Sequence, residues 1–251
     1  MDITQNFYDK MASQYDKLFQ DWSQTTKEQA VILDAIFRKN GFDTSARLLD
    51  CACGIGTQSI GLASMGYRVT GSDISSCELE EAKARSEQHH LDICFKQADF
   101  RSLDQTFSDD FDIIICMDNA LPHMLTEEDL ESAVKSISNQ LASGGIFAAS
   151  IRDYDSIVKN KPPYSPPYIH KTENGQRVSF QTWDWTDDQY KLTQYIIDDE
   201  GSLSISKFDC QYRIILRDDL SKLLVSCGFS EVRWLFPEDS GFYQPIVVAK
   251  K

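Results

Sequence analysis

The sequence predicts an α/β protein with a mostly parallel sheet, helices on both faces of that sheet and an antiparallel β insertion. Three observations predict this fold. An apolar run, a glycine-rich turn and a helix start follow one another at residues 48–59. Further short apolar runs alternate with helical patterns up to residue 151. Prolines, aromatic residues and β-branched residues are then frequent over residues 152–208, which is typical of antiparallel strands.

The first strand and its turn form the most informative motif of the chain. Residues 46–50 suit a buried parallel strand, and Gly54 and Gly56 let the backbone turn sharply and approach a ligand. Thr57 begins a helix whose unpaired N–H groups favour a carboxylate or a phosphate. Ser59 takes the place of the third glycine of a dinucleotide-binding turn, which argues against a nicotinamide site. A tight turn without any ligand is the alternative.

The second apolar run, residues 67–72, ends at Asp73. An acid at the end of such a strand faces the same crevice as the first turn and can accept two hydrogen bonds from a ribose diol. The alternative is an acid that complements the dipole of the next helix. Ser75 and Glu78 predict a capping box at the start of that helix.

The third and fourth strands also end in polar segments. Residues 93–97 lead into Asp99 and Phe100, where a carboxylate can accept from an adenine amino group and a ring can cover the base. Ordinary surface-loop residues are the alternative. Residues 112–117 are the most apolar run and open into the segment 118–123, which would lie over the reacting end of a bound ligand.

Composition and charge restrict the class of protein. The 251 residues suffice for one enzyme-sized domain with an insertion. A net charge of -14 argues against a nucleic-acid partner, because the phosphate backbone would be repelled. Neither a membrane-spanning run nor a leader is evident, so we expect a cytoplasmic protein without a membrane partner. The seven cysteines indicate reduced thiols and no metal site. The oligomeric state stays open, a homo-oligomer included.

Changes in sequence character divide the chain into four parts. Residues 1–40 are typical of an N-terminal helical segment, and residues 41–151 of a nucleotide-binding core with alternating strands and helices. Residues 152–208 contain four prolines and predict a lid that inserts before the sheet is complete. Residues 209–251 would supply the C-terminal part of the core sheet.

A resemblance that spans nearly the whole chain rests on four segments, LLDCACGIGTQS, VTGSDIS, CMDNALPHM and SIRDYDSIV. In this order they resemble the glycine-rich turn, the ribose-binding acid, the loop after the fourth strand and an arginine-containing segment of class I S-adenosylmethionine-dependent methyltransferases. Within that class they are similar to the glycine and sarcosine N-methyltransferase group. The third segment departs from the family by carrying Asp118, Leu121 and Pro122, which could reshape the acceptor site.

The resemblance implies the Rossmann-like methyltransferase sheet and S-adenosylmethionine as the cofactor. The residues that it implies for cofactor binding are Tyr15, Trp22, Lys27, Ala52, Gly54, Gly56, Asp73, Ile74, Asp99, Phe100 and Met117. Tyr15 would lie near the sulfonium or the substrate. Lys27 would bind the carboxylate of the cofactor, with a solvated helix charge as an equal alternative.

The resemblance also implies a substrate that bears a carboxylate. Arg152 falls where the family carries an arginine for that group, and a guanidinium can grip a carboxylate through two parallel hydrogen bonds. A salt bridge to Asp153, to Asp155 or to one of the many other acids is the alternative. The residues implied in catalysis are Tyr15, Asn119 and Arg152. The residues implied in substrate binding are Asn119, His123, Arg152, Tyr168 and Tyr195. For His123 a structural hydrogen bond is the alternative, and for the two tyrosines packing of the lid.

We therefore expect a small-molecule N-methyltransferase that acts on an amino acid or a similar carboxylate-bearing amine, with glycine or sarcosine as the leading candidates. The reaction is an in-line displacement by a neutral amine, so alignment is the main task of the enzyme and no dedicated base is required. An O- or N-methyltransferase for another metabolite is the first alternative. An NAD-dependent oxidoreductase and a non-catalytic cofactor-binding module are the others.

Overall fold

A central sheet of seven strands organises the computed structural model, which describes residues 3–251. The strands are β1 (Arg47–Asp50), β2 (Arg68–Asp73), β3 (Cys94–Gln97), β4 (Phe111–Cys116), β5 (Leu141–Ser150), β10 (Glu231–Leu235) and β11 (Ile246–Lys250). Their order across the sheet is β10-β11-β5-β4-β1-β2-β3. Strands β1 to β5 run parallel, whereas β11 is antiparallel to β5 and β10. The predicted α/β fold class is confirmed. The first two residues of the predicted segment 1–40 lie outside the described residues.

The central parallel strands β1 and β4 carry apolar side chains on both faces because each face is covered. Side chains alternate between the faces of a strand, so Leu48 and Leu49 of β1 enter two separate apolar clusters. Ile113 and Ile115 of β4 lie in the cluster of Leu48, and Ile114 lies in the cluster of Leu49. All five side chains are fully buried. Burial of each of these side chains contributes roughly 1.5–3 kcal/mol to the stability of the fold. Apolar residues are therefore favoured on both faces of these two strands.

Helices follow most of the parallel strands and also flank the chain ends. The α-helices in residues 3–251 are α1 (Ile3–Met11), α2 (Trp22–Lys39), α3 (Thr57–Ser64), α4 (Ser76–Gln88), α5 (Glu127–Gln140), α6 (Tyr154–Asn160), α7 (Arg217–Ser226) and α8 (Pro237–Ser240). Helix α2 begins where the Asp21 side chain accepts from the Gln24 N–H at 2.9 Å. None of the helices in residues 3–251 is long and apolar enough to cross a membrane.

Helices α2 and α3 approach each other closely at a glycine. A Cβ added at Gly61 would lie 2.5 Å from the backbone oxygen of Thr26 and 2.9 Å from the Cβ of Ala30. These distances are too short for real Cβ contacts. The packing of α2 on α3 therefore depends on the missing side chain of Gly61. This packing holds α3, the helix after the glycine turn, against the N-terminal part of the chain.

A second sheet of four antiparallel strands covers one side of the molecule. Its strands, in order, are β6 (Tyr168–Thr172), β7 (Gly175–Trp185), β8 (Gln189–Asp199) and β9 (Leu203–Arg213). Side chains on one face of this sheet, Tyr190, Ile196 and Phe208 among them, belong to the apolar cluster that also contains Leu49. The Phe7 ring of α1 packs edge-on against Phe208 at 6.5 Å. The predicted antiparallel insertion is present, and β9 continues past the boundary expected at residue 208.

The segment before β11 returns the chain to the centre of the sheet. The Pro245 carbonyl accepts from the Ile151 N–H at 3.2 Å, and the Gln244 side chain accepts from the Ser150 hydroxyl at 2.9 Å. Strand β11 then pairs along β5 from Ile246 onwards. This arrangement brings the C-terminal segment to the carboxyl edge of the parallel strands.

Candidate active site

A cavity with about 750 Å³ of empty space, open solvent at its mouth included, lies at the carboxyl ends of β1, β2 and β4. The predicted site residues in its wall are Tyr15, Ala52, Gly54, Asp73, Ile74, Asp99, Phe100, Met117 and His123. Most of them follow parallel strands, and ligands of open α/β sheets bind at this edge.

The glycine turn after β1 forms one side of the cavity. Gly54 and Gly56 have positive φ angles of 51° and 88°, which a Cβ disfavours. Gly54 lines the cavity. Gly56 lies beside α3 instead, and a Cβ added there would be 3.0 Å from Ile60. A Cβ added at Gly54 would lie 3.0 Å from a carboxylate oxygen of Glu78, so one glycine lets the turn pass Glu78 and the other lets α3 begin. The neighbouring Cys51 and Cys53 are buried free thiols.

Asp73 connects the glycine turn to the end of β2. One carboxylate oxygen accepts from the Gly54 N–H and the other from the Ser75 N–H, each at 2.9 Å. Burial raises the pKa of Asp73 above its usual value, and these backbone hydrogen bonds act against the rise. Each oxygen keeps a second lone pair. Asp73 can therefore hold the turn and also accept hydrogen bonds from a diol in the cavity.

The capping box predicted at the start of α4 forms only in part. The Ser75 hydroxyl accepts from the Glu78 N–H at 3.1 Å. The Ser75 N–H donates to Asp73, so the Glu78 carboxylate has no capping role. Glu78 is 0% exposed, and neither of its oxygens has a partner among residues 3–251. Burial raises the pKa of Glu78 well above its usual value, which favours the neutral acid.

Asp99 lies in the cavity wall, but an arginine already pairs with it. The Nε and Nη2 atoms of Arg101 donate to Oδ2 of Asp99 at 2.9 and 2.6 Å, and Nη1 donates to Asp129 at 2.9 Å. This ion pair fixes the carboxylate next to Phe100, which also lines the cavity. The role of Asp99 in holding an adenine amino group stays a prediction.

The cavity wall does not include Trp22 or Lys27. The Trp22 indole donates to the Thr57 hydroxyl at 2.9 Å, and the Arg85 guanidinium lies 4.7 Å from the centre of its ring. Trp22 thus fixes the start of α3 next to the glycine turn. Lys27 is exposed on α2 beside a separate groove that Tyr243 also lines. Its position matches the alternative of a solvated helix charge.

Arg152 is a half-buried cation two residues past β5. Its Nη1 donates to the Tyr190 hydroxyl and its Nη2 to the Gln181 side-chain oxygen, each at 2.8 Å. The guanidinium carbon lies 5.1 Å from the centre of the Trp183 ring and 5.6 Å from that of Tyr212. Burial lowers the pKa of Arg152, nearby tyrosines raise it, and the net change is a rise, so the group is cationic.

The acids next to Arg152 in sequence pair with a different arginine. Asp153 and Asp155 both contact the guanidinium of Arg217 at the start of α7. No acid among residues 3–251 forms an ion pair with Arg152. The alternative of a local salt bridge for Arg152 is therefore wrong, and its hydrogen-bond partners are neutral.

Asn119 joins the loop after β4 to Arg152. Its side-chain oxygen accepts from the Arg152 backbone N–H at 3.0 Å and from the Tyr154 hydroxyl at 3.1 Å. Its side-chain nitrogen is buried without a partner among residues 3–251. Asn119 thus orients the segment that carries Arg152, and its amide keeps two donors that a ligand can use.

His123 is buried in a cluster of rings at the cavity wall. The Tyr8 hydroxyl lies 2.8 Å from Nε2 of His123, and the Tyr212 ring lies 4.3 Å from the imidazole, centre to centre. Cys210 contacts Nδ1 at 3.5 Å. These contacts are those of a structural hydrogen-bonding residue, which is the alternative interpretation of His123.

The structure does not bring Tyr168 and Tyr195 to Arg152. Tyr168 is 65% exposed on the edge strand β6. Tyr195 stacks on Phe180 at 4.9 Å. Alternation along β8 directs Tyr195 to the opposite face from Tyr190, which is the residue that contacts Arg152. Neither tyrosine contacts Arg152, and the expected substrate role of the two stays a prediction.

Several residues of this region were not predicted from the sequence. Those that contact Arg152, Asp118 or Tyr190 are Gln58, Tyr154, Gln181, Tyr190, Tyr212 and Tyr243. They come from elements far apart in sequence, and their meeting depends on the second sheet and on the segment before β11. The alternation of polar and apolar residues along β8 could have identified Tyr190.

Comparisons with known proteins agree with this architecture. A family model for a methyltransferase domain matches residues 48–145. A glycine/sarcosine N-methyltransferase of Halorhodospira halochloris is 24% identical over 229 residues, which cover 91% of this chain and 81% of that protein. A glycine N-methyltransferase of Oryctolagus cuniculus is 28% identical over 213 residues, which cover 76% and 71%.

Solved structures share the fold over nearly the whole chain. An S-adenosylmethionine-dependent methyltransferase from Clostridium acetobutylicum has a TM-score of 0.75 at 18% identity and covers 97% of both chains. CalS10 from Micromonospora echinaspora, an amino pentose methyltransferase, has a TM-score of 0.72 at 17% identity and covers 90% of this chain and 91% of its own. The matching domain, the relatives along most of the chain and the shared fold together support a class I S-adenosylmethionine-dependent methyltransferase.

Proposed function

We propose that this enzyme transfers the methyl group of S-adenosylmethionine to the nitrogen of a small amine that bears a carboxylate, with glycine or sarcosine as the first candidates. Arg152 carries the proposal. It is a half-buried cation whose hydrogen-bond partners, Tyr190 and Gln181, are neutral. A cation away from bulk water is costly without a counter-charge. A substrate carboxylate would supply that charge through two parallel hydrogen bonds.

The residues of the cavity fit the cofactor. Gly54 lines the cavity at the turn, and Asp73 keeps lone pairs for a ribose diol. Phe100 would cover the adenine, and the segments at Ala52, Ile74 and Met117 would complete the wall. When bound, the cofactor supplies a methyl group that its sulfonium has already activated for displacement.

The chain's own contribution is to align the acceptor with the cavity. Arg152 would hold the carboxylate, and Asn119 fixes the backbone of that arginine. Tyr15 lines the cavity, and burial followed by the charge of Asp118 raises the pKa of its phenol well above the usual value. A neutral phenol oxygen is therefore available near the reacting groups. Alignment of this kind supplies roughly 7–11 kcal/mol of a barrier in favourable cases.

The relatives support an amine acceptor. The curated relatives named above act on glycine or sarcosine according to their names. An amino sugar is the second candidate, because the similar structure CalS10 is an amino pentose methyltransferase. An amino sugar has no carboxylate for Arg152, and this difference favours the first candidate.

Acceptor pairs that differ in one carboxylate test the proposal. Methyl transfer from labelled S-adenosylmethionine would be measured with glycine against methylamine, and with alanine against ethylamine. Two charge-assisted hydrogen bonds are worth at least about 3 kcal/mol, so we expect the amino acid of each pair to react about 100-fold faster in kcat/KM. Equal rates within a pair, or reaction of an amino sugar alone, would contradict the proposal.

Arg152→Met tests the carboxylate-binding role directly, since it removes the charge and keeps an unbranched chain. We expect kcat/KM for the amino acid to fall about 100-fold, and cofactor affinity in calorimetry to be unchanged. Arg38→Met is the matched control, because Arg38 is exposed on α2 and pairs only with Asp34 in the described chain. Wild-type methylation of glycine by the Arg152 variant would exclude a carboxylate-binding role.

A further inference from the structure

Asp118 follows β4 and contributes to the cavity wall. The Gln58 side-chain amide donates to its Oδ2 at 2.8 Å, and the Tyr243 hydroxyl donates to its Oδ1 at 2.9 Å. Both donors are neutral, and no lysine or arginine of residues 3–251 forms an ion pair with this acid. Each oxygen keeps a lone pair for a further donor. The cavity wall therefore carries a carboxylate whose charge the described protein does not neutralise.

The turn at Asp118 is fixed to the neighbouring strand. Asp118 and Asn119 have φ angles of 55° and 68°, in the left-handed region that Asp and Asn adopt more readily than other residues with a Cβ. The N–H groups of both residues donate to Ser150 at the end of β5, at 2.8 and 3.0 Å. This turn is also where the sequence departs from the family that it resembles.

The same turn joins Asp118 to Arg152. Strands β4 and β5 are adjacent and parallel, and the Asn119 side chain accepts from the Arg152 N–H at 3.0 Å. Tyr243, which donates to Asp118, also interacts electrostatically with Arg152. An acid and a cation, each without an opposite charge among the described residues, thus lie at the ends of neighbouring strands. An amino-acid zwitterion carries the complementary pair of charges.

Building on the proposed function, we propose that Asp118 binds the ammonium group of the acceptor and takes the proton that must leave before the nitrogen can attack. The proton moves from nitrogen to a carboxylate oxygen of Asp118 and leaves a lone pair on nitrogen. That lone pair forms the new N–C bond while the electron pair of the broken C–S bond stays on sulfur. The products are an N-methylammonium and a neutral thioether, and the proton passes from Asp118 to water as they depart.

The surroundings of Asp118 suit a proton acceptor. Burial raises the pKa of Asp118, and the hydrogen bonds from Gln58 and Tyr243 act against the rise. The titratable groups in electrostatic reach are Tyr15 on the N-terminal segment, Asp50 on β1 and Tyr243 before β11. Burial and then the charge of Asp118 raise the pKa of both tyrosines, so they are neutral. A carboxylate with a raised pKa accepts a proton from an ammonium at a lower cost in free energy.

Asp118→Asn tests the inference through the pH dependence of kcat/KM for an amino acid that the wild-type enzyme methylates. An enzyme that captures the ammonium form has a nearly flat profile from about pH 7 to the pKa of the amine. The Asn variant must capture the rare free amine, so its kcat/KM should rise about tenfold per pH unit and approach the wild-type value at the top of the range. At about pH 7 we expect a loss of about 100-fold or more.

Asp184→Asn is the matched control. It removes the same charge from an exposed position on β7 and should leave the pH profile of kcat/KM unchanged. An acceptor whose amine is unprotonated at neutral pH should restore most of the activity of Asp118→Asn. Parallel pH profiles for the wild type and Asp118→Asn would overturn the inference.

The cofactor also bears an ammonium group. Calorimetric titration with S-adenosylmethionine therefore tests whether Asp118 binds the ammonium of the acceptor or that of the cofactor. Asp118→Asn should bind the cofactor within about threefold of the wild type, a difference of well under 1.4 kcal/mol, and this result also shows that the variant folds. A large loss of cofactor affinity with an unchanged acceptor KM would overturn the inference, because it assigns Asp118 to the cofactor.

The two proposals fail in different ways. If the wild type methylates no carboxylate-bearing amine, the proposed function is wrong and the role of Asp118 is wrong with it. If the wild type methylates such an amine, Arg152→Met loses the activity and Asp118→Asn retains it with the wild-type profile, then only the inference about Asp118 is wrong.

Discussion

Asp50→Asn should gain stability relative to the wild type as the pH rises from about 5 to about 8. Asp50 ends β1, is 0% exposed, and accepts from the Ser59 hydroxyl at 2.7 Å, while its other oxygen has no partner among residues 3–251. Burial raises the pKa of Asp50 to about 7, and the bond from Ser59 acts against the rise. Asparagine keeps the shape and the oxygen that Ser59 needs, but it cannot ionise. The substitution therefore isolates the free energy of ionising one buried acid.

The magnitude follows from the difference between the folded and the unfolded pKa. In the unfolded chain the pKa of Asp50 is 3.8, so the folded protein holds the proton more strongly and loses stability as the pH rises from about 3.8 to about 7. The gap of about 3.2 units corresponds to about 4 kcal/mol. About 3 kcal/mol of this loss falls between about pH 5 and about pH 8. Asp50→Asn escapes the loss and should gain that amount relative to the wild type.

Urea unfolding followed by tryptophan fluorescence measures the effect. The free energy of unfolding would be determined for both proteins at about pH 5, 6, 7 and 8, and the difference between them plotted against pH. Groups that the two proteins share cancel in this difference. Asp184→Asn, an exposed acid on β7, is the control and should give a flat line. A constant difference between Asp50→Asn and the wild type would refute the assigned pKa shift.

Three further substitutions test other features. Gly61→Ala should lower the free energy of unfolding by roughly 1–3 kcal/mol, because its Cβ would lie 2.5 Å from the Thr26 carbonyl; unchanged stability would contradict the close approach of α2 and α3. Glu78→Met should gain stability over the wild type as the pH rises above 4.5, since burial raises the pKa of this unpartnered acid; parallel unfolding curves against pH would contradict this. Asp73→Ala should weaken S-adenosylmethionine binding about 10- to 100-fold in calorimetry, and unchanged affinity would exclude Asp73 from the cofactor site.

The fold and the glycine turn could be predicted because their signals are local. The strand at 46–50, the glycines at 54 and 56 and the helix start at Thr57 are neighbours in sequence, and each has a conformational reason for its position. The acid after β2 is local in the same sense. Local patterns reach their limit at Glu78, where the capping box lacks its second half because Asp73 already accepts from the Ser75 N–H.

The acceptor side could not be predicted to the same extent because it is assembled from distant elements. Arg152 was identifiable from its segment, but its partners Gln181 and Tyr190 lie on different strands of the second sheet. Tyr190 was not predicted, and the predicted Tyr195 lies on the opposite face of the same strand, because side chains alternate between the faces along a strand. The role of Asp118 depends on Tyr243, which reaches it from the other end of the chain.

Strand β11 is the last strand of the chain, yet it pairs with β5 inside the sheet. This position determines when the contacts around Asp118 can form. Strands β1 and β2 with the glycine turn form from the first third of the chain, whereas Tyr243 and Gln244 reach Asp118 and Ser150 only when β11 pairs with β5. Asp118 and Ser150 therefore have these partners only in a chain whose C-terminal segment has docked on the sheet. Acceptor recognition would report complete assembly, and its free energy would stabilise only the fully assembled chain by mass action.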